Sequence, residues 1–269
     1  MPTPFRSPTL FRSPNLALTS AVILALVLAF ASVAAQAQVY SAEAQRVLAQ
    51  ARAASGGAGW YSLRGWHEVG RKGGVRYEAW LDPVRYGMRV ETHEPNGLLV
   101  HGFNGAGDWT IFPSGQKTGR DIRKLITETR SDAFFDVHGY LFPGRFDARA
   151  ASLGVKTWRG RPYDVVRVKP WAGVPRELWF DRRTHLLVRM VDSAGPRPFA
   201  IDYSDYRKVG PVRVAFRATT EGGEALQIDS LDFRPADRSL FSLPRPTADD
   251  AQAAPAPTAH RPAPAESGR

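Results

Sequence analysis

The sequence predicts a mainly β protein of the α+β class, built around one curved antiparallel half-barrel sheet of about ten to eleven strands. Apolar and polar residues alternate with a period of two along most of the chain, which indicates strands with one buried and one solvated face. The clearest example is residues 198–221, where Val214 and Phe216 share the inward face of one strand. Glycine and proline turns such as Gly210-Pro211 separate the runs at short intervals, which predicts hairpins.

Two segments depart from this alternation and are predicted to be helices. Residues 41–54 place four apolar side chains at helical spacing behind Ser41, a suitable N-cap. Residues 127–141 have helical spacing at Phe134, Val137 and Leu141, and interrupt the series of hairpins. We expect this inserted helix to lie as a lid across the concave face of the sheet.

The chain is predicted to contain three parts. Residues 1–37 have a basic start, an apolar run too short to span a bilayer comfortably and the small-x-small sequence Ala35-Gln36-Ala37, all typical of a cleaved signal peptide. An uncleaved membrane anchor is the alternative. Residues 38–244 are predicted to form one domain, and the proline- and alanine-rich residues 245–269 a disordered tail.

Composition favours an exported protein. The chain has 269 residues and no cysteine, so it carries no disulfide and no lipid on a cysteine. We therefore expect a periplasmic protein, not integral to the membrane after cleavage, and monomeric. Its net charge of +10 fits a solvated basic face or a basic surface for an envelope protein partner, while export argues against nucleic acid.

Motifs that carry catalytic chemistry are missing from the sequence. It contains no G-x-S-x-G, no H-E-x-x-H and no cysteine nucleophile. His93, Glu94 and His101 could meet across neighbouring strands as metal ligands, but isolated histidines in strands are more often surface residues. The sequence predicts a protein that is not an enzyme and needs no metal or cofactor.

The remaining signal is a surplus of aromatic residues, with 7 tryptophans, 8 tyrosines and 14 phenylalanines. A curved sheet with few helices has a concave apolar face, which either these side chains fill or a hydrophobic ligand shares. The predicted lining consists of strand residues and two residues of the inserted helix: Tyr86, Met88, Val90, Trp109, Ile111, Val214 and Phe216, with Phe134 and Val137 above them.

Several motifs resemble the periplasmic lipoprotein carrier (LolA-like) superfamily of outer-membrane lipoprotein-sorting proteins. They are the hairpin at residues 104–113, Glu177-Leu178-Trp179-Phe180-Asp181, Asp202-Tyr203-Ser204-Asp205-Tyr206 and Phe241-Ser242-Leu243-Pro244. The resemblance covers most of residues 41–244. It implies an eleven-strand half-barrel closed by helices, which holds lipoprotein acyl chains in transit across the periplasm.

One position departs from the resemblance. In the carrier an arginine followed by proline reaches from the sheet to hold the lid, whereas this chain has Asp82 before Pro83, with Arg85 three residues further on. We therefore expect a carrier for a hydrophobic or acyl-chain ligand. The alternative is a sensor or protein-interaction module without lipid transport, similar to periplasmic regulators of envelope-stress signalling that share the fold.

Overall fold

The structure, a computed structural model, describes residues 40–120, 127–193 and 198–244. The predicted signal peptide at residues 1–37 and the predicted tail at residues 245–269 lie outside the described residues. Within those three ranges, no helix combines the length and the apolar character that crossing a membrane requires.

The N-terminal helix forms as the sequence predicts. Helix α1 spans Ala42–Ser55, and its N-cap Ser41 accepts a hydrogen bond from the backbone N–H of Ala44 at 3.3 Å. Gly56 ends the helix with φ of 137°, a conformation that a residue without a Cβ adopts readily. The short helix α2, Gly59–Ser62, follows directly.

The sheet is single, antiparallel and unclosed, and it has 13 strands. The strands of its first half are β1 Trp66–Lys72, β2 Val75–Asp82, β3 Gly87–Glu94, β4 Gly97–Phe103, β5 Asp108–Ile111 and β6 Lys117–Arg120. Those of the second half are β7 Ala148–Trp158, β8 Arg161–Pro170, β9 Arg176–Asp181, β10 Leu187–Asp192, β11 Phe199–Val209, β12 Val212–Thr220 and β13 Ala225–Asp232. The mainly β class is confirmed, and the sheet has 13 strands where about ten to eleven were predicted.

The strand order explains why the inserted helix lies where it does. The order is β6-β5-β4-β3-β2-β1-β13-β12-β11-β10-β9-β8-β7, so two series of hairpins meet where β1 pairs with β13. The chain must pass from one edge of the sheet to the other between β6 and β7. Helix α3, Thr127–Asp136, lies in that passage.

Helix α3 is shorter than predicted. It ends at Asp136, and a 3₁₀ turn at Gly139–Leu141 follows it. The break falls at His138, which has φ of 55°, a conformation that a continuing right-handed helix does not permit. Val137 therefore belongs to the connection after the helix and not to its regular turns.

The hydrophobic core lies between the concave face and the helices. Side chains of α1 pack beside a cluster of aromatic rings that are almost fully buried, namely Trp60, Phe103, Phe134, Phe142 and Phe180. Edge-to-face ring pairs connect several of them, such as Trp60 with Phe142 at 6.1 Å between centroids. This packing covers only one part of the concave face.

Candidate ligand-binding site

A cavity of about 770 Å³ occupies the rest of the concave face, between the sheet and α3. Its size lies within the usual range for small-molecule sites. Strands from both halves of the sheet contribute mostly apolar side chains to it: Trp66, Val75, Tyr77, Ala79, Leu81, Met88, Val90, Leu99, Leu187, Met190, Ile201, Tyr203, Val214, Leu226 and Ile228. Phe135 and Tyr140 contribute from the helical insertion.

Four of the residues predicted from the sequence to contact a ligand border this cavity: Met88, Val90, Trp109 and Val214. Met88 and Val90 are neighbours on one face of β3, and Val214 lies across the sheet on β12. Their positions follow from the period of two that the sequence shows in these strands. Their role toward a ligand remains a proposal.

Four other predicted residues are packed into the core and lie away from the cavity wall: Tyr86, Phe134, Val137 and Phe216. The ring of Tyr86 contacts Phe103 and Phe134 edge-to-face, and its hydroxyl donates a hydrogen bond to the carbonyl oxygen of Arg130 in the lid helix. These contacts fix the lid to the sheet. They make Tyr86 and Phe134 structural neighbours of the cavity.

The prediction that Trp109 and Ile111 face the concave side is wrong, because the faces of β5 are the reverse of those assumed. Asp108 is the register partner of the buried Phe103, whereas Trp109 pairs with Gly102 and Ile111 with Val100. Trp109 borders the cavity, but its indole lies on the outer face, where Nε1 donates to the carbonyl oxygen of Phe241 at 2.8 Å. The indole occupies the space above Gly102, where a Cβ would be 2.0 Å from the ring.

This reversal has a physical cause. The 3₁₀ segment Arg238–Phe241 covers the outer face next to β5, and the Phe241 ring packs over Gly87. The outer face of the sheet is therefore covered here and takes the apolar Trp109, while the concave face of β5 carries Asp108 and Thr110. Alternation shows which residues of a strand share a face, but it does not show which face is concave when both are covered.

The histidines considered as metal ligands lie apart. His101 is the register partner of Val90 and shares its concave face, while His93 pairs with Leu98 on the opposite face. His101 Nδ1 lies 3.1 Å from Thr110 Oγ1. Across the described ranges, no group of three potential ligand residues is arranged to hold a metal ion.

The charge of the cavity is opposite to that of the whole chain. Among the described residues, six acidic residues and a single lysine, Lys72, belong to the lining, although the chain carries a net charge of +10. The acidic residues are Glu68, Glu94, Asp108, Asp132, Asp136 and Glu224.

Glu68 is held by hydrogen bonds inside the cavity wall. Its carboxylate accepts from Trp66 Nε1 at 2.8 Å and from the Tyr77 hydroxyl at 3.0 Å. Burial raises the pKa of Glu68, and the two hydrogen bonds oppose that rise because they stabilise the charged form. The same burial raises the pKa of the Tyr77 hydroxyl, so this hydroxyl remains a donor.

Asp136 ends the lid helix above the cavity. Its side chain keeps exposed surface and borders the cavity. Burial, reinforced by the negative charge of Asp132, raises the pKa of Asp136 to about 7. Beside it, burial lowers the pKa of His138 to about 4, which leaves that imidazole neutral at neutral pH. The His138 ring lies 5.4 Å from Trp66 and stacks on it.

An arginine that sequence reasoning missed holds the lid helix. Arg176 of β9 is almost fully buried; its guanidinium pairs with Asp132 of α3 and, through Nε, with Asp192 of β10 at 3.1 Å. The sequence pattern does not single it out, because Arg176 begins a strand that also carries Glu177 and Asp181. Ser131 Oγ adds a hydrogen bond from the backbone N–H of Val174 at 2.7 Å.

Asp82 and Arg85, the residues at which the chain differs from the carrier, do not hold the lid helix. Asp82 accepts hydrogen bonds from the backbone N–H groups of Val84 and Arg85 at 2.8 and 2.9 Å, which fixes the turn before β3. The Arg85 side chain is more than half exposed and lies 3.8 Å from Asp82. The sheet-to-lid ion pair is therefore made by Arg176, from the other half of the sheet.

The fold and the site together define an open β half-barrel with an apolar, acid-lined cavity beneath a helical lid. Among solved structures, the chain is similar to a LolA superfamily protein from Nitrosomonas europaea, with 15% identity, a TM-score of 0.47 and coverage of 74% of this chain and 97% of that one. It is also similar to an outer membrane lipoprotein-sorting protein domain from Vibrio parahaemolyticus (12% identity, TM-score 0.42, coverage 66% and 88%). A third is a DUF1329 family protein from Desulfovibrio piger (11% identity, TM-score 0.48, coverage 75% and 98%).

At such identities the likenesses concern the fold alone. No protein-family model matches the chain, and no curated protein matches its sequence.

Proposed function

We propose that this protein is a non-catalytic carrier that holds a hydrophobic or acyl-chain ligand in the cavity on the concave face of its half-barrel. The observation that carries the proposal is the cavity of about 770 Å³ with its mostly apolar lining. Protein interiors are normally packed as densely as organic crystals. An apolar space of this size inside a core suits a ligand that replaces the missing packing.

The distribution of side chains also supports a carrier. The aromatic rings fill the concave face around Trp60 and Phe134, while smaller side chains such as Ala79 and Val90 line the cavity beneath the lid. Side chains therefore fill only one part of the concave face. The other part has the room that a ligand needs.

The proposed carrier acts in the periplasm as a monomer. Support comes from the sequence of residues 1–37, which has the pattern of a signal peptide. Cleavage after Ala37 would leave Gln38 as the first residue. The intact mass of protein isolated from the periplasmic fraction tests this, and a product that retains residues 1–37 in the membrane fraction would contradict it.

Native mass spectrometry of protein purified gently from its host tests the carrier function. We expect adducts with the mass of a lipid or another apolar molecule, which are lost after extraction with organic solvent. The extracted protein should then bind the neutral fluorescent probe N-phenyl-1-naphthylamine with increased emission. Protein that carries no adduct and binds no probe would contradict the proposal.

A sensor or interaction module is the second candidate, and one observation favours it. Arg71 and Arg76 are register partners on the outer face of β1 and β2, and each side chain is more than half exposed. Asp229 and Glu78 pair with them at 3.3 and 3.8 Å, and the exposed guanidinium groups stay accessible to an acidic partner. Loss of a co-purifying envelope protein in an Arg71→Gln, Arg76→Gln double variant, with no lipid adduct in the wild type, would favour this candidate.

A further inference from the structure

We infer that the cavity selects an apolar ligand whose polar end is a hydrogen-bond donor, above all a protonated amine, over one that ends in a carboxylate or a phosphate. This inference rests on the proposed carrier function and names the chemical class of its ligand. It follows from the charges that line the cavity, from the acceptors that the lid presents to it and from the positions of the nearest cations.

The first step is the balance of charge around the ligand space. Carboxylates outnumber the single lysine in the lining. That lysine, Lys72, lies at the end of β1 with a side chain that is more than half exposed, and its Nζ is 3.9 Å from Glu224. A ligand in the cavity therefore meets a negative potential, which attracts a cationic end and repels an anionic one.

The second step is the free acceptor at the inner side of the lid. Among the described residues, no partner donates a hydrogen bond to the Asp136 carboxylate or forms an ion pair with it, although its side chain is accessible from the cavity. Glu68, on the facing sheet, already accepts from Trp66 and Tyr77, and a carboxylate oxygen has room for further donors. The site thus offers acceptors to a ligand and lacks a matching cation.

The third step concerns Arg176, the arginine whose charge acts on Asp136. Its guanidinium attracts Asp136 at a distance and so lowers the pKa of that carboxyl, but burial and Asp132 outweigh it. Arg176 is committed to Asp132 and Asp192 and does not line the cavity. An anionic ligand end would therefore find no arginine to pair with, whereas an ammonium group would compensate the charge of Asp136 directly.

The test compares three ligands that share one alkyl chain: dodecylamine, dodecanol and dodecanoate. Each displaces N-phenyl-1-naphthylamine from the full-length mature protein at neutral pH, below the concentration at which it forms micelles. We expect dodecylamine to bind at least about tenfold more tightly than dodecanoate, with the uncharged dodecanol between them.

Two variants assign the effect to the lining, and one serves as a control. In Asp136→Asn and in Glu68→Gln, the preference for the amine over dodecanoate should fall several-fold while the probe still binds. Asp229→Asn is the matched control, because Asp229 pairs with Arg71 outside the cavity. Its preference should equal that of the wild type. Circular dichroism verifies that each variant is folded.

The outcomes separate this inference from the proposed function. If neither the probe nor any of the three compounds binds, both the carrier proposal and this inference fall. If the probe binds but dodecanoate equals or exceeds the amine, the inference alone is overturned. A preference for the amine that persists in both cavity variants would overturn the assignment to Asp136 and Glu68.

Discussion

The imidazole Nδ1 of His138 lies 3.0 Å from the backbone carbonyl oxygen of Asp136, and both side chains border the same cavity. Burial affects the two groups in opposite directions. It raises the pKa of Asp136 to about 7 and lowers the pKa of His138 to about 4. The pair therefore contributes two opposed pH dependences to stability over nearly the same interval.

We expect Asp136→Asn to change the pH dependence of unfolding. The folded-state pKa of Asp136 lies above its unfolded value, so the native state binds more protons and loses stability as the pH rises from about 4 to about 7. The variant should be more stable than the wild type above about pH 7, and this difference should vanish below about pH 4. Thermal midpoints measured across this interval test the prediction.

The same variant should reveal the contribution of His138. Its folded-state pKa lies below the unfolded value, so stability is lost as the pH falls from about 6.5 to about 4. Without Asp136, that loss is no longer opposed. Asp229→Asn provides the comparison, since it should follow the wild-type curve. A difference between Asp136→Asn and the wild type that is constant with pH would contradict both assignments.

Val90→Glu should affect binding much more than stability. Val90 is only partly buried and lines the cavity, so a new carboxylate there keeps access to water in the unliganded protein. We expect the free energy of unfolding to change by less than about 1 kcal/mol, a typical limit for sites outside the packed core. Binding of N-phenyl-1-naphthylamine should be lost. Urea denaturation and probe titration measure the two effects.

Phe134→Ala provides the contrast, because the Phe134 side chain points from the lid helix into the core and is fully buried. Truncation of a core phenylalanine should lower the free energy of unfolding by about 3–5 kcal/mol. If Val90→Glu proved as destabilising as Phe134→Ala, the space around Val90 would be a closed core.

Gly102→Ala should destabilise the sheet. Its Cβ would lie 2.0 Å from Trp109 Cε2, so the indole would have to move and its hydrogen bond to Phe241 would be lost. Overpacking of this kind costs about 1–3 kcal/mol. Gly119→Ala in β6 is a suitable control, because its nearest neighbours would be 3.7 Å away. Equal chemical-denaturation midpoints for the two variants would show that the Trp109 ring moves freely.

Arg176→Met should loosen the lid. The change leaves the half-exposed Asp132 without its partner from β9 and removes the Arg176 contact of the buried Asp192. Loss of one partner of a buried ion pair typically costs about 3–5 kcal/mol. Bound probe should also dissociate faster, which stopped-flow dilution measures. Arg85→Met, at the exposed arginine next to Asp82, should leave stability within about 0.5 kcal/mol and release unchanged. The reverse ranking would assign the lid contact to Arg85.

Local pattern predicted most strands and the N-terminal helix, because alternation and capping depend on neighbouring residues in the chain. It also predicted that Met88 and Val90 share one face. It did not predict the face of Trp109, since that depends on Arg238–Phe241, which covers β5 from far along the chain. Nor did it predict Arg176 as the lid contact, because an ion pair between a strand and an inserted helix distant in sequence leaves no periodic signal.

The pairing of β1 with β13 has a consequence for how the chain folds. Each series of hairpins is built from local contacts, but the seam between them joins residues as distant in sequence as His67 and Asp232. Contacts of such high sequence separation form slowly, because a long loop must close first. We expect the two halves to gain structure before the seam does. Since the cavity is bordered by strands of both halves, the protein becomes able to bind only at the last step of its folding.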